Sequence, residues 1–186
     1  MLTEPKFRHP GGRSLTLRAA RLAGIARGDA VLDIACGDGA TVALLRSTHG
    51  ANAVGADIAA EGADFIVRAD ASALPFRGAE FGFCFMECAL SVISDREAAL
   101  SEAARVLSPR GKLVFSDLYN RRGETPFTLD GLRRMFADSG FAVLFEEDHT
   151  PALVTYAAEN PDCACEFGGA RGLGYILMVC EKEPQA

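Results

Sequence analysis

Short apolar runs alternate along the chain with segments whose apolar residues recur every three or four positions. The run Ala30–Ala35 ends at the glycine pair Gly37 and Gly39, as a buried strand does when it enters a tight turn. Similar runs predict six further strands, at Asn52–Ile58, Phe65–Ala69, Phe81–Met86, Lys112–Ser116, Phe141–Glu147 and Tyr175–Glu181.

In the segments between these strands, apolar residues recur at the spacing of a helix. Apolar residues predict helices over Arg13–Ile25, with Ser14 as the N-terminal cap, and over Ala40–Ser47. Ser94-Asp-Arg-Glu97 has the spacing of a capping box and predicts the start of a third helix. Pro109–Gly111 should stop that helix and turn the chain into the next strand.

A fourth helix should begin at Thr128 and stop at Gly140, and another helical stretch separates the last two strands. Strands that alternate with helices predict a parallel sheet covered by helices on both faces. The last two strands lack a clear full crossover, which predicts one antiparallel edge. The expected fold class is therefore α/β.

Composition narrows the possible classes of protein. The chain has 186 residues, of which 49% are hydrophobic, and this length fits one domain. A net charge of −6 argues against a broad nucleic-acid-binding face. No apolar run approaches the ~20 residues that span a bilayer, and no signal peptide is readable, so we expect a cytoplasmic protein without a membrane span. The oligomeric state stays open.

Candidate binding groups lie after the first three predicted strands. The carboxyl ends of neighbouring parallel strands share one edge of a sheet, where ligands bind at the point of strand-order reversal. Gly37 and Gly39 allow close approach of the backbone to a ligand there. Asp57 lies at the end of the second strand, about where an acidic residue accepts hydrogen bonds from ribose hydroxyls, and Asp70 follows the third strand.

Four ordered motifs extend this pattern, and together they resemble the class I S-adenosylmethionine-dependent methyltransferases, specifically the small "type 11" domain shared with quinone-biosynthesis methylases. The resemblance implies a single-domain Rossmann-like fold with seven strands in the order 3-2-1-4-5-7-6, the last antiparallel. It also implies a cap segment at 1–28 before a methyltransferase domain at 29–186. The motifs are Val31-Leu-Asp-Ile-Ala-Cys-Gly-Asp-Gly39, Gly55-Ala-Asp57, Arg68-Ala-Asp-Ala-Ser-Ala-Leu-Pro-Phe76 and the stretch Glu102–Asp117.

The same resemblance implies S-adenosylmethionine as cofactor, S-adenosylhomocysteine as its product and a small-molecule methyl acceptor. The turn at 35–39 would approach the methionine end, Asp57 the ribose, and Asp70 with Ala71 the adenine, while Met86 and Glu87 would border the sulfonium. The implied cofactor-binding residues are Asp33, Ala35, Gly37, Gly39, Asp57, Ile58, Asp70, Ala71 and Met86.

The chain departs from the family pattern at two places. Ala35 replaces the first glycine of the turn, and only seven residues separate Asp57 from Phe65, so the usual helix there is missing or reduced to a turn. Two local alternatives stay open: Asp33 as a buried organiser without cofactor contact, and Asp70 as a turn cap through Ser72. A nicotinamide site is disfavoured because the third small residue of G-x-G-x-x-G is absent.

The sequence says less about the residues that would bind the methyl acceptor. An acceptor that carries a proton needs a base, and Glu87 is the candidate catalytic residue. Asp117, Tyr119 and His149 are candidate substrate groups, each with a purely structural alternative. Phe7–Thr16 is expected either to cover the cofactor or only to start the first helix.

The six cysteines are expected to be thiols, and the chain has no C-x-x-C pair that would indicate a zinc ribbon; we expect no resident metal. Cys88, Cys163 and Cys165 open an alternative activity, thiol-dependent methylation of a metalloid such as trivalent arsenic, because thiolates bind soft atoms. Incidental thiols are the simpler interpretation. A catalytically silent cofactor-binding subunit is the other alternative.

Overall fold

A computed structural model describes residues 6–60, 64–123, 127–161 and 172–184. The elements within these ranges alternate along the chain. In order they are α1 (Gly12–Ala23), β1 (Ala30–Ile34), α2 (Ala40–His49), β2 (Asn52–Asp57), β3 (Ile66–Arg68), β4 (Phe81–Glu87), α3 (Arg96–Val106), β5 (Leu107–Asn120), α4 (Leu129–Asp138), β6 (Phe141–Asp148), α5 (Thr150–Glu159) and β7 (Leu173–Lys182).

All seven strands form one sheet in the order β3-β2-β1-β4-β5-β7-β6. The first five strands pair in parallel, and β7 lies antiparallel to both β5 and β6. The predicted α/β class, strand order and antiparallel last strand are confirmed. Strand order reverses between β1 and β4, so a ligand site is expected beyond the carboxyl ends of those strands.

Each face of the sheet carries its own hydrophobic core, because successive side chains of a strand point to opposite faces. Met86 of β4 packs with residues of α3 and α4, such as Leu100 and Phe136. Its neighbour Phe85 packs with residues of α1, α2 and α5 instead. In the part of the chain that the structure describes, no helix is long and apolar enough to cross a membrane.

Most helix and strand boundaries differ from the sequence predictions by a few residues, and at three of them the start of the element is built differently. Gly11 is the N-cap of α1, so the predicted cap Ser14 lies inside the helix. The cap of α3 is Asp95, whose side chain accepts from the amide of Ala98, and not Ser94. A carboxylate at Asp95 is an equally good cap one residue later.

Strand β5 begins directly after α3, at Leu107, and includes the segment predicted to be a turn. Its pairing with β4 is irregular between Phe81 and Phe83, and Arg110 has a φ of +61°. Pro109 therefore lies in an irregular part of the strand. Proline has no amide hydrogen to donate, and strands tolerate it at such irregularities.

Candidate active site

The turn after β1 is held in a left-handed backbone conformation. Ala35, Gly37 and Gly39 have φ values of +58°, +55° and +81°. A Cβ on Gly39 would lie 2.5 Å from Cδ1 of Ile66, so a side chain there would displace the end of Ile66 and would also be strained by the left-handed φ. Gly55 of β2 is equally constrained, since a Cβ there would lie 2.4 Å from the sulfur of Cys36. The turn is therefore packed tightly against the second and third strands.

Ala35 is strained, and replacing it should stabilise the protein. A left-handed backbone costs alanine about 1–2 kcal/mol, whereas glycine adopts it freely at a smaller entropic cost. We expect Ala35→Gly to raise the free energy of unfolding by about 0.5–1 kcal/mol in chemical denaturation. The control Ala43→Gly, on the exposed side of α2, should lower it by about 1 kcal/mol. A loss of stability in Ala35→Gly would contradict the assigned strain.

Asp57 joins the end of β2 to this turn. One carboxylate oxygen accepts from the backbone N–H of Gly37 at 2.8 Å, and the other accepts from the N–H of Ala59 at 2.8 Å. The side chain is half-buried and lies on the wall of a cavity. Asp57 therefore fixes the glycine turn while keeping oxygen lone pairs on the cavity side.

Asp33 is the most unusual group of the site. Asp33 is 3% exposed, and no described residue donates a hydrogen bond to its carboxylate. Burial, and then the negative charges of Glu87 and Asp57, hold the pKa of Asp33 well above its usual value. A buried carboxylate without a donor beside a cavity is stabilised by a ligand that brings a positive charge or a hydrogen-bond donor.

Glu87, at the end of β4, contacts α1, α2 and the segment before α1. Its carboxylate oxygens accept from the hydroxyls of Thr16 in α1 at 2.9 Å and Thr41 in α2 at 2.7 Å. The Nε2 atom of His9 lies 3.8 Å from the same carboxylate, and both side chains are less than a tenth exposed. This network docks the segment before α1 against the sheet edge.

These groups surround a cavity of about 530 Å³, here called the first cavity. The volume is within the ~300–1,000 Å³ of small-molecule sites. Four carboxylates line it, those of Asp33, Asp38, Asp57 and Glu87. The rest of the wall includes residues 6–9, the turn at 35–37, Thr41 and Cys88. The cavity opens beyond the ends of β1 and β4, the expected ligand position for this topology.

Comparison with known proteins identifies a domain within the chain. The model of a family described as a methyltransferase domain matches residues 32–115, from β1 to β5. The chain carries a methyltransferase domain. An O-methyltransferase from Pyrenophora dematioidea is 26% identical, over 83% of this chain and 75% of its own length.

The fold of the chain is also similar to that of several solved structures. The cyclase SpnF superposes with a TM-score of 0.79 at 20% identity, over 93% of this chain and 82% of its own. Geranyl diphosphate C-methyltransferase from Streptomyces coelicolor superposes with a TM-score of 0.78 at 17% identity, over 91% and 77% of the two chains. One fold thus supports different reactions, and the reaction must be argued from the site.

A methyltransferase domain implies S-adenosylmethionine as cofactor, and the lining of the first cavity fits it. The cofactor carries two positive groups, a sulfonium and an ammonium, besides two ribose hydroxyls. Asp33 provides a buried carboxylate without a donor from the described residues, and Asp57 provides acceptor oxygens on the same wall. Gly37 has open space where its Cβ would be, so a ligand can approach its backbone closely.

The residues predicted to bind adenine lie after β2 and β3, and their contacts are separate from those of the glycine turn at 35–39. One oxygen of Asp70 accepts from both the amide and the hydroxyl of Ser72, at 2.8 and 2.7 Å, so the turn-cap alternative is present. Ile58 is exposed, and the first cavity reaches Ala59 and Ala60 beside it. Among the described residues between β2 and β3 there is no helix, as predicted from the short spacing.

Three of the polar candidates for the substrate side have structural partners. Asp117 is fully buried and accepts from the amide and hydroxyl of Ser91 and the amide of Leu118, while burial still raises its pKa to about 6. Tyr119 is buried against Gly174, and His149 lies 3.0 Å from Glu147. None of the three lines the first cavity within the described structure. Met86, predicted near the sulfonium, has its side chain fully buried in the core.

The cysteine pattern is only partly visible. Cys163 and Cys165 lie outside the described residues. Cys88 lines the first cavity with a φ of +50°, and its sulfur lies 3.3 Å from the hydroxyl of Tyr175. Burial and the nearby charge of Asp117 raise the pKa of Cys88 well above its usual value, so it is a neutral thiol. The described residues contain no group of three or more potential metal ligands.

Sequence reasoning missed the partners of Glu87 and the position of His9. His9 is 6% exposed, and its Nδ1 lies 3.1 Å from the carbonyl oxygen of Pro10. Since a carbonyl only accepts, Nδ1 carries a proton there. The sequence leaves open whether Phe7–Thr16 covers the site or only starts α1. Nothing in its spacing indicates that His9 and Thr16 meet a glutamate more than seventy positions later.

Proposed function

We propose that the protein transfers a methyl group from S-adenosylmethionine to a small-molecule acceptor. The observation that carries this proposal is Asp33, a buried carboxylate that lies at the point of strand-order reversal and takes no hydrogen bond from the described chain. Such a group favours a cationic ligand over the neutral or anionic ligands that most glycine turns bind. The methyltransferase family and the size of the first cavity agree with that preference.

The binding residues then take distinct roles. Asp33 and the backbone of Ala35, Gly37 and Gly39 hold the methionine end, and Asp57 accepts from the ribose hydroxyls. On the adenine side, Ile58, Asp70 and Ala71 are proposed to form the boundary, with Asp70 already ordered by Ser72. Met86 contributes backbone only, because its side chain is in the core.

S-adenosylmethionine held by Asp33, Asp57 and the glycine turn would supply an electrophilic methyl carbon on a positively charged sulfur, for in-line transfer to the acceptor. The chain's task is mainly to position the acceptor and exclude water. Glu87 adds negative charge near this carbon and holds the segment at 6–10 in place through its network. Its two oxygens already hold threonine hydroxyls, so we assign it to positioning and charge stabilisation, with proton removal as a second role only if a threonine releases it.

The test is turnover with purified protein. Incubation with S-adenosylmethionine and a panel of small amines, alcohols, phenols and thiols should release S-adenosylhomocysteine faster than without an acceptor. Asp33→Asn should lower this release by at least about tenfold at limiting cofactor while leaving the fold intact by circular dichroism. Cofactor binding without turnover on any panel member would favour a silent binding subunit, and absence of binding would contradict the site itself.

A further inference from the structure

The hydroxyl of Thr16 lies between two groups that can accept its proton. Its oxygen is 2.9 Å from Oε1 of Glu87 and 3.3 Å from Nε2 of His9. Because Nδ1 of His9 donates to the carbonyl oxygen of Pro10, Nε2 is the acceptor nitrogen of the neutral imidazole. A threonine hydroxyl has one hydrogen, which Thr16 can therefore give either to Glu87 or to His9.

These three side chains are shielded from solvent, and only part of the group reaches the first cavity. The side chains of His9 and Glu87 are 7% and 6% exposed, and Thr16 is fully buried. Glu87 lines the first cavity, whereas Thr16 is not among the described residues of its wall. A proton that reaches Glu87 from inside the cavity therefore has a hydrogen-bonded path through Thr16 to His9.

A proton at the end of this path satisfies every contact of the group. When protonated Glu87 gives its proton to Oγ1 of Thr16, the hydroxyl gives its own hydrogen to Nε2 of His9. Thr16 then donates to Glu87 again, and the imidazolium of His9 donates through Nε2 to Thr16. The positive ring lies 3.8 Å from the Glu87 carboxylate, and opposite charges at this distance inside a protein stabilise each other.

We propose that Glu87, Thr16 and His9 form a proton relay, and that it takes the proton from a phenolic hydroxyl of the methyl acceptor. This inference rests on the proposed function, since it uses the first cavity as the site of transfer. Glu87 can act as a base only if a threonine releases one of its oxygens, and Thr16 can do so because His9 offers its hydroxyl a second acceptor.

The protons and electrons of this step balance. The hydroxyl proton moves to Oε1 of Glu87, and a proton passes through Thr16 to Nε2 of His9. A lone pair of the acceptor oxygen forms the bond to the methyl carbon, and the electron pair of the broken carbon–sulfur bond stays on sulfur. The step ends with a methyl ether, S-adenosylhomocysteine, ionised Glu87 and the imidazolium of His9, which loses its proton to water after the products leave.

The acidity of the acceptor explains why the relay points to a phenol. A phenolic hydroxyl has a pKa of about 10, so it keeps its proton at neutral pH and needs a base to become a good nucleophile. A carboxylic acid is already ionised at this pH, and a thiol with a pKa of about 8.5 ionises readily. Neither of these acceptors needs a relay that stores a proton inside the protein.

The first test determines the tautomer of His9 and needs no turnover. Heteronuclear NMR of the imidazole nitrogens should show neutral His9 with its hydrogen on Nδ1 and none on Nε2. His49 and His149 are internal references, and the spectrum of His9→Gln assigns the signals. Neutral His9 with its hydrogen on Nε2 would overturn the relay, as would an imidazolium that persists to about pH 9, because neither form accepts a proton from Thr16.

The second test uses the two threonines that donate to Glu87 as matched variants. Thr16→Val interrupts the relay, whereas Thr41→Val removes a hydrogen bond to the other oxygen of the same carboxylate and leaves the relay in place. With substituted phenols and saturating S-adenosylmethionine, kcat of Thr16→Val should be at least about tenfold below that of Thr41→Val, since a general base contributes about 10²–10⁴-fold. With the matching thiophenols, which ionise without a base, the two variants should have equal kcat.

The outcomes separate the relay from the proposed function. Equal kcat of the two variants with phenols, or an equal loss in Thr16→Val with phenols and thiophenols, would assign Thr16 a structural role and overturn the relay. Turnover of thiophenols but not of phenols by the wild type would overturn the assigned class of acceptor. Each of these results includes turnover and so leaves the proposed function standing. Release of no S-adenosylhomocysteine with any acceptor would contradict the proposed function, and the relay with it.

Discussion

Replacing Asp57 with alanine should weaken binding of S-adenosylmethionine by about 100-fold. The variant loses the acceptors for the N–H groups of Gly37 and Ala59, so the glycine turn relaxes. It also removes the proposed partner of the ribose hydroxyls, and a buried hydroxyl without a partner costs about 1–3 kcal/mol. Isothermal titration with S-adenosylmethionine and with S-adenosylhomocysteine measures both losses.

The control for this variant is Asp29→Ala. The carboxylate of Asp29 accepts from the backbone N–H of Ala26 at 2.8 Å in the turn before β1, outside the first cavity. This change removes the same kind of contact and should affect stability but not cofactor affinity. Unchanged affinity in Asp57→Ala would contradict the cofactor site proposed here.

Binding of S-adenosylmethionine should release a proton from Asp33 and become weaker in acid. The pKa of Asp33 in the free protein is raised by burial and by the charges of Glu87 and Asp57, so the group is protonated over a wider pH range than an ordinary aspartate. A cationic ligand favours the ionised form and lowers that pKa. Below the raised pKa, affinity should therefore fall, by up to about tenfold per pH unit, and above it affinity should be constant.

Calorimetry in phosphate and in Tris, which differ in ionisation enthalpy, counts the released protons. Asp33→Asn should remove the proton release and weaken binding at least about tenfold, while the free variant gains stability because a buried carboxylate is gone. Asp117→Asn is the control, since that buried carboxyl also has a raised pKa, about 6, but lies outside the first cavity. Proton release that persists in Asp33→Asn would contradict the assignment.

The fold was predictable because local and long-range signals agree. The run Ala30–Ala35 is apolar except for Asp33, as a strand buried on both faces must be outside its functional positions, and the glycines after it favour a tight turn. Helix caps were less predictable: Ser94 and Asp95 are both good caps, and only packing selects the second.

The position of a site residue was predictable where the residue lies at the end of a strand. Contacts between elements that are distant along the chain were not predictable. Asp57 and the glycine turn lie close together because β1 and β2 are neighbouring parallel strands. The contacts of Glu87 depend instead on how α1 and α2 pack over β4, which no spacing along the chain encodes. The burial of His9 is likewise a property of the assembled fold.

Residues 6–9 form part of the wall of the first cavity, so docking of this segment and binding of a ligand in the cavity are thermodynamically linked. A ligand that contacts the docked segment stabilises its docking, and by reciprocity a change that loosens the segment weakens binding of the ligand by the same factor. The contact of His9 with Glu87 therefore contributes to ligand affinity by holding the segment in place.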